Sequence, residues 1–140
     1  MSEPIRSDTK IAVLLSDDLL PWQRLNATAF LVSGVAGTRP DLLGEDYEDG
    51  DGTPYLPMFG QPVVVLVGDR AMVRAAHARA VERALPLAVF TGELFTTGND
   101  QDNRAAVKAV GRDALDLVGI AVHGRRNVVD RVVKGARLHP

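Results

Sequence analysis

The chain has no cysteine among its 140 residues. That excludes disulfides, thiolate metal sites and a cysteine nucleophile. A strong charge of either sign is also missing. The formal net charge is -2, so the total carries no basic footprint for DNA or RNA. The opening run Met1-Ser-Glu-Pro-Ile-Arg-Ser-Asp8 lacks the apolar segment of a secretory signal. The longest mainly apolar stretch, Ala27 to Ala36, is broken by Thr28, Ser33 and Gly34. It falls short of the roughly 20 residues that a bilayer span needs, and a cytoplasmic location is the default expectation. Neither phosphate-binding glycine signature occurs: no Gly-Lys-Ser/Thr closes a loop, and no G-x-G-x-x-G follows a strand. The three histidines have no helix-face pairing of the kind zinc sites use. The sequence therefore gives no reason to expect a metal or an organic cofactor.

What remains is ordinary globular material, 46% hydrophobic and 24% charged, in a length typical of one domain. Residues 1–9 read as a loose leader and 10–140 as a single domain. Ile11 to Leu15 is a continuous apolar run, as expected of a strand covered on both faces. Pro21 suits the first turn of a helix running from about Trp22 to Val35, which Gly34, Gly37 and Pro40 end. Apolar residues on most of its sides predict a buried helix. Asp41 to Gly60 reads as a loop with a short edge strand near Pro54 to Met58. Its acidic run lacks the ligand spacing of a calcium loop.

Gln61 to Val67 is a second strand, largely β-branched. Asp69 caps a helix over 70–84. Leu87 to Phe90 is a third strand, 103–110 a short helix stopped by Gly111, 115–122 a fourth strand, and 127–133 a last helix. Alternation in this order predicts an α/β fold, with helices on both faces of a mixed or mainly parallel sheet.

Several segments resemble a known family. Lys10-Ile-Ala-Val-Leu-Leu-Ser-Asp-Asp-Leu, Pro62-Val-Val-Val-Leu-Val, Leu85-Pro-Leu-Ala-Val and Leu117-Val-Gly-Ile-Ala-Val-His-Gly resemble type 2 peptidyl-tRNA hydrolases in order along the chain. A bacterial family sharing that fold, domain of unknown function 2000, is more similar still. The likeness rests on Trp22-Gln-Arg-Leu-Asn26, Tyr55-Leu-Pro-Met58, Phe95-Thr-Thr-Gly-Asn99, Asn103-Arg-Ala-Ala-Val107 and Gly135-Ala-Arg-Leu-His-Pro140. The resemblance implies a three-layer α/β/α sandwich around a four-stranded mixed sheet, and no known activity. The hydrolase pattern itself departs here. Gln23-Arg24 stands where the hydrolases begin their first helix with Gly-Lys, and Thr91-Gly92-Glu93 replaces their Asp-Ala-Gly loop. Counterparts remain only for a nearby threonine, Thr96 or Thr97, and for the acid after the first strand. Arg24 could stand in as a basic group, although arginine does not accept protons at ordinary pH.

Open α/β sheets bind ligands outside the carboxyl ends of their strands. That rule selects Ser16-Asp17-Asp18, Gly68-Asp69, Thr91-Gly92-Glu93 and His123-Gly124, of which the first, third and fourth are the candidates. Asp17 and Asp18 can hold a metal or serve as a base, or simply form part of a capped turn. Glu93 is a candidate general base and Thr97 a hydroxyl donor. His123 is a proton carrier suited to neutral pH. Asn26, in an otherwise apolar helix, either binds a ligand or ties down a facing loop. Thr91, Asn103 and Arg104 belong to the most polar loop and the helix after it. Arg125, beside Arg126, suits a phosphate or carboxylate, and a solvated basic turn is the plainer reading.

Two functional expectations follow. One is a hydrolase acting on a small molecule or an aminoacyl- or peptidyl-tRNA-like substrate, in a cleft formed by Asp18, Asn26, Glu93, Thr97 and His123. The other is a non-catalytic binding module for a ligand or partner. No membrane partner is expected, and a homodimer fits a small domain this rich in apolar residues.

Overall fold

The computed structural model describes residues 8–140. Most of the expected leader, residues 1–7, lies outside the described residues. Thr9 already belongs to the first strand.

The main sheet contains β1 (Thr9–Ser16), β4 (Val63–Gly68), β5 (Leu87–Thr91), β6 (Leu117–Arg125) and β7 (Arg137–Leu138), in the order β5-β6-β1-β4-β7. A separate two-stranded hairpin, β2 (Tyr47–Glu48) with β3 (Pro54–Tyr55), stands apart from it. Helices are α1 (Pro21–Thr38), α2 (Arg70–Glu82), α3 (Asp100–Lys108) and α4 (Arg126–Val132).

The sheet is mixed. β1 and β4 run parallel, while β6 is antiparallel to both β1 and β5, and β7 to β4. It has five strands rather than the four expected. The fifth is the tail, where Leu138 pairs with Leu66 and Arg137 with Val67, and His139 N donates to Val65 O at 3.0 Å. Two residues with an arginine carry too little apolar signal to read as a strand, so only the edge of β4 reveals it.

Side-chain alternation divides the core between the two faces of the sheet. Ala12, Leu14, Leu66, Ile120 and Val122 pack with Val73, Ala76 and Ala80 of α2 and with Val129 and Val132 of α4. Ile11, Val13, Leu15, Val67, Phe90, Val118 and Ala121 pack with Ala27, Leu31 and Val35 of α1. The apolar runs of β1 and β4 are thus covered from both sides.

Helix α1 differs from expectation. Only Ala27, Leu31 and Val35 are buried, and the outer side shows Trp22, Leu25 and Phe30 to solvent. Asn26 lies on that exposed side too, so the buried amide expected there is not found. Apolar composition predicted burial all round, but a single helical layer on this face of the sheet buries only one stripe. The expected edge strand near Pro54 is the hairpin strand β3. Asp49 fastens that hairpin. Its carboxylate accepts from the Asp51 and Thr53 amides at 2.9 and 3.0 Å and from the Tyr55 hydroxyl at 2.7 Å. These bonds, the tyrosine's first, hold its pKa at about 2.

Candidate functional site

Strand direction decides which candidates meet. Ser16, Gly68 and Thr91 close β1, β4 and β5 at one end of the sheet. Because β6 is antiparallel, its carboxyl end lies opposite, with His123 beside Ile11 and Arg125 beside Thr9. At about 3.3 Å per residue, the Ile11–His123 pair sits roughly 17 Å from Ser16. The residues expected to share one cleft therefore divide between two ends. The rule about carboxyl ends selects a common edge only for parallel strands, and β6 is not one.

The first end is a closed polar network. Ser16 Oγ donates to Asp18 Oδ1 at 2.5 Å, and Arg70 Nε donates to Asp18 Oδ2 at 3.0 Å. Arg70 also pairs with Asp116. The hydroxyl of Ser16 is the main cause holding the Asp18 pKa below its ordinary value; slight burial opposes it, and Arg70 adds to the lowering. A carboxylate with both oxygens engaged and reduced basicity is a poor proton acceptor. Arg24 braces the loop after β1. It donates to Leu19 O at 3.0 Å, to Asp17 O at 2.7 Å and to His139 Nε2 at 3.1 Å. Arg137 reaches Asp17 at 3.5 Å.

Beyond this network lie the loop candidates. Glu93 is exposed, and only its carbonyl is engaged, by the Thr96 amide and hydroxyl. The Thr97 hydroxyl donates to Asn103 Oδ1 and to Leu94 O, so Thr97 and Asn103 brace each other across the start of α3. Arg104 pairs along that helix with Asp100, and Asn99 caps it by accepting from Asp102 N at 2.8 Å. Thr91 is 1% exposed, and its hydroxyl meets no partner among the described residues.

The second end is open. A cavity of about 460 Å³ is lined by residues of the α1 C-terminus, the start of β5, the end of β6 and Thr9. Its origin is local. Gly34 brings α1 so close to β5 that a Cβ there would stand 3.2 Å from Ala88 Cβ. Ala88 and Ala121, register partners on the α1 face, supply a floor of small side chains. Helix α1 then stops at Thr38, so the strand ends beyond it stay uncovered. Val35, Pro86 and Leu87 make the walls apolar, and Arg39 and Arg125 stand among the lining residues.

His123 belongs to this cavity. Its Nε2 is buried with no hydrogen-bond partner among the described residues. Burial is the main cause pushing its pKa below the ordinary value, helped by Arg39 and opposed by Asp41. Burial therefore favours the neutral imidazole. Arg39 is already held by Asp41 through two hydrogen bonds of 2.8 and 2.7 Å. The Arg125 guanidinium makes no hydrogen bond or ion pair among the described residues.

Of the predicted site residues, His123 and Arg125 meet in the cavity, while Asp18, Thr91, Glu93, Thr97, Asn103 and Arg104 lie toward the other end. Asn26 lies on the outer face of α1. Sequence reading missed Gly34, Thr38, Arg39, Ala88 and Ala121. The only available signal was the small residues Gly34 and Gly37 within a helix, read there as a stop. No group of three or more metal-ligating side chains is found among the described residues. None of their helices is long and apolar enough to cross a membrane.

A family model described as "Protein of unknown function (DUF2000)" matches residues 9–140. Among solved structures, the chain is similar to a protein of unknown function, Atu0240, from Agrobacterium tumefaciens strain C58. The two are 42% identical with a TM-score of 0.94, over 96% of this chain and all of the other. No curated protein matches.

Proposed function

Starting from a chain that belongs to the DUF2000 family, a membership that brings no assigned chemistry, we propose that the protein is a small-molecule-binding module. Its ligand site is the cavity between the end of α1 and strands β5 and β6. One observation carries this reading. A buried imidazole nitrogen of His123 lacks a partner at the wall of an apolar cavity. Leaving a buried polar group unsatisfied costs about 1–3 kcal/mol, and native folds rarely carry one without a purpose. The ring's terminal torsion is soft. Turning about that torsion would present a ring nitrogen to the cavity, where a ligand's polar group would supply the missing bond. A volume of about 460 Å³ with a mostly apolar lining is in the range of small-molecule sites.

The scaffold we infer is the three-layer α/β/α sandwich of type 2 peptidyl-tRNA hydrolases, with the tail added as a fifth strand. Hydrolysis draws less support than binding. Asp18 has both oxygens occupied, and Thr97 and Asn103 engage each other. The test is thermal-shift screening of the full chain against small organic acids, alcohols and nucleosides, repeated with Thr38→Trp. Thr38 is exposed at the cavity rim, so a bulky side chain there blocks entry without disturbing the core. Hits that vanish in Thr38→Trp support the cavity. Hits that persist unchanged place the ligand elsewhere and overturn the reading.

A further inference from the structure

Resting on that reading of the cavity, we infer that its ligand is an apolar monocarboxylate, its hydrocarbon body over Ala88 and Ala121 and its carboxylate at Arg125. The argument begins with strand geometry. Alternate residues of β6 face the same side of the sheet. Ala121, His123 and Arg125 therefore succeed one another on the α1 face, about 7 Å apart at each step. Ala121 is fully buried, His123 partly buried and Arg125 exposed. One strand thus grades from apolar floor through a half-buried imidazole to a cation at the mouth. A ligand matching that order is apolar at one end and anionic at the other.

Charge accounting singles out the cation. The second arginine of the cavity, Arg39, is neutralised by its two-pronged pairing with Asp41. Lys10 nearby is taken by Asp130 at 2.7 Å. Arg125 alone among these cations has a guanidinium without a partner among the described residues. A guanidinium fork matches a carboxylate with two parallel bonds. His123 lies one alternate position deeper and can donate to the same carboxylate. The apolar walls Val35, Pro86 and Leu87 suit an aliphatic or aromatic chain.

Calorimetry with octanoate and its uncharged match, octanol, tests this on the full chain. Octanoate is expected to bind at least tenfold more tightly than octanol, the size of one charge-assisted bond. Arg125→Gln, a change at an exposed position, should cost octanoate about tenfold and leave octanol unchanged. Thr38→Trp should abolish both. If octanol binds as well as octanoate and Thr38→Trp blocks both, the cavity stands and the carboxylate inference is overturned. The same inference falls if Arg125→Gln leaves octanoate affinity intact. If neither probe binds, or Thr38→Trp changes nothing, the cavity reading falls with it.

Discussion

The two ends of the sheet use polar residues in opposite ways. At the end where β1, β4 and β5 finish, the polar groups are mostly tied into a network: Ser16 with Asp18, Asp18 with Arg70, Arg70 with Asp116, and Arg24 with two carbonyls and His139, the buried Thr91 hydroxyl being an exception without a partner among the described residues. At the end where β6 finishes, an imidazole nitrogen and a guanidinium are left over beside a cavity. A satisfied network is a way of holding loops and a tail in place. Unspent hydrogen-bonding capacity against an apolar hollow is a way of holding something else. Richness in charged residues is thus a poor guide to function. The end with more titratable groups is the one that has already used them.

The largest expected effect breaks the network end. Arg24→Ala removes the donors that hold Asp17 O and Leu19 O, along with the contact to His139 on the tail. Arg24 is partly buried, and bonds from a charged donor to carbonyls are worth about 1.5–3 kcal/mol each before losses are shared. Overall destabilisation of about 2–3 kcal/mol is expected in urea unfolding. Amide exchange at His139, whose N–H donates to Val65 O, should rise as β7 loosens. An unchanged midpoint would mean that the network is ornamental, and the contrast between the ends would weaken.

A smaller effect, of opposite sign, is expected next to the open end. Ala84 has φ of 52°, in the left-handed region, where α2 finishes and Leu85 N returns to Ala80 O at 2.9 Å. A side chain there costs about 1 kcal/mol that glycine would not. Glycine's extra freedom in the unfolded chain takes back part of the gain. Ala84→Gly should raise stability by about 0.5 kcal/mol, read as a small upward shift in Tm. Destabilisation would show that the Ala84 methyl has a packing role that outweighs the backbone strain.

Much of the fold was legible in the sequence, and the site largely was not. The continuous apolar runs 11–15 and 63–67 signalled strands covered on both faces, and Asp69 signalled a helix cap. All are found. β7 escaped because its pairing is a property of β4's edge, not of Arg137 and Leu138 themselves. The cavity escaped for a related reason. Its floor and rim, Gly34, Ala88, Ala121 and Thr38, matter through how closely two elements approach and where one stops short of the other. Such facts are non-local. His123 and Arg125 were legible as residue types at a strand's end, but the direction of β6, which decides what they face, was not.

The smallest expected effect on stability sharpens the comparison most. His123→Phe keeps the ring and removes the nitrogens, one of which is buried without a partner. Above pH 7 it should leave stability within about 0.5 kcal/mol of the parent, because the desolvation cost removed with Nε2 is offset by the strain of seating a larger ring. The pH dependence carries the diagnostic. Burial, with Arg39 adding and Asp41 opposing, lowers the folded pKa of His123 below its ordinary value of 6.5. Burial does the same at His77, where Arg74 and Arg112 add and Asp113 opposes. Below about pH 6.5 the unfolded chain therefore binds more protons than the folded one, and stability falls with pH in that window. The parent should lose Tm from pH 7 to pH 5. His123→Phe should lose less, keeping only the His77 share. Equal losses would mean that the His123 ring is not desolvated in the folded chain. That outcome would remove the physical basis for calling the second end unspent.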